Sequence, residues 1–330
     1  MSGEILIDKS EIHNPAGNYR FAGFNENGRF VEPEALVCVT GGVYEPIKDA
    51  QGNPAVFREV TKEGDGEQVK FERMRFNTTS FAIGSAPYAS EKEALGHGGK
   101  YRAVAVARLA EEFPLAQVFT GAKYANLREA KAGMPTHATI YRDHLIALGV
   151  KPERIIARED DFAVNTFTEL ISEILALAES NARLITFCTN AFHQARLGQM
   201  LRIILNESTP NGKRIFENFK NKGFDLLTPE LLAARRVLKE RNTRINIVAA
   251  EPVLLNIDAE RHKHTFANIF ALVYQAELAP EVVAAMGDQE RQEYEKRLVL
   301  YRGREETEAQ GLSQLLDGTY TPIDNFTASQ

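Results

Sequence analysis

Five short apolar runs, separated by segments of helical period, constrain this chain more than any other feature. They are residues 35–39, 116–119, 154–157, 183–188 and 244–250, each four to seven residues long. Val, Ile, Leu and Phe follow one another in these runs without regular polar alternation, the pattern of strands covered on both faces. Between them, residues 166–180 carry Phe167, Leu170, Ile171, Ile174, Leu175 and Ala178 at the spacing of one helix face. Residues 191–205 repeat that pattern through Phe192, Ala195, Leu197, Leu201 and Ile204, and residues 100–113 and 136–148 read as helices too. The alternation predicts an α/β protein with a Rossmann-like, doubly wound, mostly parallel sheet and helices on both of its faces. Residues 224–227 are a weaker sixth strand candidate.

Two segments break the alternation. Residues 43–97 lie between the first strand and its helix, far beyond the usual connection of about 2–6 residues. Two stretches of alternating polarity, residues 56–60 and 69–76, flank Glu63-Gly64-Asp65-Gly66-Glu67 and predict a hairpin. This insertion is expected to act as a lid over the strand ends. After residue 255 the pattern changes again: residues 259–277 and 280–301 look helical, and residues 319–330 read as a polar tail. The expected organisation is an N-terminal extension (1–34), a Rossmann-like core (35–255) carrying the 43–97 insertion, and a C-terminal helical segment with its tail (256–330).

Composition narrows the class of function. Hydrophobic residues make up 44% and charged residues 25%, as in globular proteins. A net charge of −6 argues against nucleic acid or an anionic membrane as partner. No apolar run approaches the roughly 20 residues that span a bilayer, and the start Met1-Ser2-Gly3-Glu4 lacks a signal-peptide pattern. A cytoplasmic protein with a small-molecule ligand is therefore expected. Cys38 and Cys188 sit inside predicted strands, so both are expected to be core thiols, with no disulfide framework and no metal site.

Open α/β sheets bind ligands outside the carboxyl ends of their strands. The residues there are Thr40-Gly41-Gly42, Thr120-Gly121, Arg158-Glu159-Asp160-Asp161 with Asn165-Thr166, and Thr189-Asn190. Gly41 and Gly42 would let a ligand approach the backbone, or they simply end a strand. His193 and Arg196, three apart on a helix, share a face on which a phosphate or carboxylate would fit; the alternative is a surface His and an Arg paired with a glutamate. Asn190 is a candidate N-cap for their helix. Thr166 and Glu169 fit a capping box. Glu159 is a candidate base or metal-binding carboxylate, or part of a solvated acidic loop.

The ordered set Val39-Thr40-Gly41-Gly42, Arg102, Thr120-Gly121, Gly149-Val150, Glu159, Asn165-Thr166 and Thr189-Asn190-Ala191-Phe192-His193-Gln194-Ala195-Arg196 resembles the YdcF/SanA/ElyC-like domain family. The resemblance spans residues 35–205 and lies closest to the YdcF-like members without membrane anchors. The chain departs from the family pattern at Thr136-His137-Ala138, at Ala122, at Glu169 and in the long insertion. The resemblance implies a Rossmann-like fold and a phosphate- or nucleotide-containing ligand, with S-adenosylmethionine also linked to the family. It implies Thr40, Gly41, Gly42, Arg102, Thr120, Gly121, Asn165, Thr166, Asn190 and Arg196 as ligand contacts. His193 and Glu159 are the candidate catalytic groups, and a non-catalytic ligand sensor is the rival reading.

Overall fold

Each of the five apolar runs forms a strand. The computed structural model describes residues 5–9, 22–40, 44–46, 56–61, 68–72, 74–76, 99–123, 135–206, 209–257 and 283–320. In chain order the strands are β1 (Leu6–Lys9), β2 (Phe24–Glu26), β3 (Arg29–Val31), β4 (Ala35–Cys38), β5 (Tyr44–Pro46), β6 (Val56–Thr61), β7 (Gln68–Glu72), β8 (Met74–Phe76), β9 (Gln117–Thr120), β10 (Ile155–Ala157), β11 (Leu184–Thr189) and β12 (Arg244–Ala249). The α-helices are α1 (Gly99–Glu112), α2 (His137–Ala147), α3 (Thr166–Glu179), α4 (Gln194–Leu205), α5 (Pro210–Asn221), α6 (Pro229–Glu240), α7 (Ala250–Ile257) and α8 (Asp288–Asp317).

Six strands build one sheet in the order β1-β12-β11-β4-β9-β10, and every neighbouring pair is parallel. Reading from β10, the order is that of a doubly wound dinucleotide-type fold, with β1 from the chain start in the sixth place. The N-terminal stretch is thus more than an extension ahead of the core. It contributes an edge strand, and β2 and β3 pair as a hairpin. Asn27 (φ 53°) and Gly28 (φ 79°) form its two-residue turn in the left-handed region, which suits the twist of a hairpin.

Burial on both faces explains the unbroken apolar runs. Ala35, Val37, Val39, Phe119, Ile185, Phe187, Ile245 and Ile247 pack with α3, α4, α5 and α6. Leu36, Cys38, Val118, Cys188 and Val248 turn the other way, onto α1, α2 and α7. Cys38 and Cys188 face each other across β4 and β11 as buried free thiols, and burial pushes both thiol pKa values up.

Several sequence expectations are corrected. Residues 224–227 are a loop, not a strand. They link α5 and α6, whose starts are marked by Thr209-Pro210 and Thr228-Pro229: each Thr hydroxyl caps its helix and each Pro occupies the first turn. Residues 191–205 are not one α-helix, since Ala191–His193 is a 3-10 turn before α4. The last helix, α8, runs from Asp288 rather than residue 280 and extends to Asp317. Tyr320, assigned to the tail, is buried in the core beside Phe167. The expected hairpin of the insertion forms between β6 and β7, and β5 pairs with β8. Its turn, together with Gly41, Gly42, residues 259–277 and residues 321–330, lies outside the described residues.

Candidate functional site

Strand register lines up the site. Cys38 is level with Thr120 and Cys188, Ala157 with Thr120, and Thr189 with Ala249. The residues that follow, Thr40, Gly121, Arg158, Asn190 and Glu251, therefore share the carboxyl edge of the sheet. The helix after β4 goes to one face and the helix after β11 goes to the other, so the switch point lies between these two strands.

Arg102 of α1 fills that point from one face. Its Nη1 donates to Thr40 O (2.7 Å) and Val39 O (3.2 Å), and its Nε donates to Asn190 Oδ1 (2.6 Å). Asn190 Nδ2 donates in turn to Glu251 Oε1 (2.9 Å), while Glu251 Oε2 accepts the Ala191 amide (3.0 Å). Asn190 is therefore not a side-chain cap. Its amide is engaged sideways, and no side-chain cap bond forms at this 3-10 turn. Burial raises the pKa of Glu251, offset by Asn190, the Ala191 amide and the Arg102 charge.

From the other face come two glutamates, Glu169, which the sequence assigned to a capping box, and Glu173, which it did not select. Residues 167–177 of α3 are all buried, Glu169 and Glu173 included. Glu169 Oε1 accepts the Thr40 amide at 2.6 Å. The expected capping box of Thr166 and Glu169 is corrected: Asn165 caps α3 by accepting from Thr168 N, and the Thr168 hydroxyl answers at the Asn165 amide. Glu169 instead faces the end of β4, because an N-cap at Asn165 makes Thr168 the third helical residue. The readable signal was a pair of glutamates four apart inside an apolar helix. Burial raises the pKa of Glu169, against hydrogen bonds from Thr40 and the Arg102 charge. Glu173 is raised too, by burial and then by the charge of Glu169.

His193 is 2% exposed, with Nδ1 2.8 Å from the Thr189 hydroxyl. Burial, then the charges of Arg196 and Arg102, hold its pKa well below the usual imidazole value, so the ring is neutral. Arg196 is forked onto Glu308 of α8, with Nε–Oε2 at 2.6 Å and Nη2–Oε1 at 3.0 Å. That is the glutamate pairing weighed for it from the sequence. Exposed Glu159 accepts from the hydroxyls of Thr136 and Thr139 at the start of α2. Buried Thr120 lies at the end of β9, and Asn165 and Thr166 are half-buried. The structure thus joins Thr40, Arg102 and Asn190 directly, sets Gly121 against the two glutamates, and directs Arg196 and Glu159 to other partners.

The order of the sheet and this buried polar corner define a Rossmann-like α/β protein with its switch point built from charged side chains. No known protein-family model matches the chain, and no curated protein or solved structure matches it. No helix among the described residues is long and apolar enough to cross a membrane.

Proposed function

We propose that this chain is a YdcF-like cytoplasmic protein that holds a phosphate- or nucleotide-containing small molecule at the switch point between β4 and β11. The observation that carries the reading is the Arg102–Thr40–Asn190 corner, a guanidinium held at the strand ends where doubly wound folds place ligands. Gly41 and Gly42 follow Thr40 directly and would bring the ligand against the backbone. Arg102 supplies positive charge, with Thr120, Gly121, Asn165, Thr166 and Asn190 along the same edge, and Arg196 would add its own only on release from Glu308. His193 would move a proton, and Glu159 would assist as a base.

A second reading, ligand sensing without turnover, is favoured by one observation. The two nominated catalytic groups are already engaged, His193 in the interior with Thr189 and Glu159 with the threonines of α2. Calorimetric titration of the full chain with nucleoside phosphates, pyrophosphate and S-adenosylmethionine tests the proposal. A phosphate compound should bind, and Arg102→Lys should weaken it about tenfold to a hundredfold. Binding of none of the phosphate compounds sinks the reading, and S-adenosylmethionine binding alone replaces it. Release of product from the bound compound decides between enzyme and sensor.

A further inference from the structure

Glu173 is a buried acid without a partner among the described residues. It is 1% exposed, and neither carboxylate oxygen has a hydrogen-bond partner there. Buried carboxylates are retained when something compensates them. Glu169, one helical turn earlier, projects from the same face of α3. Both reach Gly121 at the end of β9. A Cβ at that glycine would lie 3.1 Å from Glu173 Cγ, 3.6 Å from its Oε1 and 3.7 Å from Glu169 Cγ. A Cβ there would press on the Glu173 arm, so the glycine gives the two acidic side chains room beside the strand end.

The Thr40 amide answers one oxygen of Glu169, but the surrounding groups leave Glu173 uncompensated. Glu251, a third buried carboxylate, is satisfied by Asn190 and Ala191. Arg102 aims its guanidinium at two carbonyls and at Asn190, not at a carboxylate. A proton on Glu173 would remove charge yet leave one of its oxygens without a donor. A cation engages both oxygens.

We propose that Glu169 and Glu173 form a binding site for a hard divalent cation of the Mg2+ class. Among the described residues no group of three or more His, Cys, Asp or Glu gathers into a closed cage. Two carboxylates are the usual protein share for Mg2+, with water and phosphate oxygens completing the octahedron. At the carboxyl edge of the sheet, such a cation would meet the phosphate of the ligand proposed above. That meeting rests on the proposed function, whereas the cation site rests on the carboxylates alone.

The test uses Mn2+ alone with the full chain, followed by electron paramagnetic resonance and competed with Mg2+. One saturable Mn2+ per chain is expected. Glu173→Gln and Glu169→Gln should each weaken it about tenfold or more. Glu111→Gln, at an exposed pair on α1, should leave it unchanged. Without metal, Glu173→Gln should melt no lower than the parent, because a neutral amide replaces an acid that no donor satisfies. Absence of saturable binding, or both site variants binding as tightly as the parent, overturns the site and leaves a carboxyl pair that shares a proton. Mn2+ binding without any phosphate ligand would sink the proposed function alone, and the reverse result would sink the cation site alone.

Discussion

Arg102 Nε donates to Asn190 Oδ1 over 2.6 Å, tying the first helix after β4 to the residue that closes β11. The bond spans the switch point, and Arg102 also holds the carbonyls of Val39 and Thr40. One buried side chain therefore sets the mutual position of the two central strand ends.

The first expected outcome follows from that geometry. Arg102→Lys keeps the charge but cannot reproduce a planar fork that reaches two carbonyls and an amide. Leaving such buried groups short should cost about 1–3 kcal/mol. Urea unfolding should show a lower midpoint with an unchanged slope. An unchanged midpoint would mean that the network adds nothing to stability.

Gly121 offers a steric test. Gly121→Ala places a methyl against Glu173 and should destabilise by about 1–3 kcal/mol through overpacking. In a Glu173→Ala background the same change should be nearly neutral. A double-mutant cycle reads the coupling directly, and additive effects would show that the two side chains do not meet.

Arg196 and Glu308 make a docking contact for α8. Their side chains are 19% and 13% exposed, so solvent screens them less than a surface pair. A cycle with Arg196→Ala and Glu308→Ala should give a coupling of about 1.5–3 kcal/mol, above the roughly 0–1 kcal/mol of exposed pairs. Each single variant should also speed protease cleavage within residues 288–317. A coupling near zero would release Arg196 from this structural role.

The pH dependence has a definite sign at His193. Its folded pKa is depressed, chiefly by burial, so the unfolded chain binds its proton first as pH falls below about 6.5. The unfolded state then carries more protons, and this component of stability is lost toward acid with a limiting slope of about 1.4 kcal/mol per pH unit. His193→Gln should flatten the acid limb of the stability profile relative to the parent. Parallel acid limbs would show that His193 titrates freely in the fold.

The sequence by itself determined the parallel sheet. Burial on both faces leaves a direct mark, a run such as Ala35-Leu36-Val37-Cys38 with no polar gap. Helical period did the same for α3 and α4, which each press one wide apolar face on the sheet. What escaped was non-local or decided by competition. β1 is a short edge strand with Leu6 exposed, so its place beside β12 leaves almost no pattern in its own residues. Thr166 and Glu169 satisfy a capping box on spacing alone, and so do Asn165 and Thr168. The choice between them depends on where the end of β4 lies, because the Thr40 amide takes the Glu169 carboxylate. Arg196 carries the same guanidinium whether a ligand or Glu308 answers it, and Glu308 stands 112 residues away in the chain. Local order is written in the spacing of apolar residues, but a charged group finds its partner only when folding brings distant segments within a few ångströms.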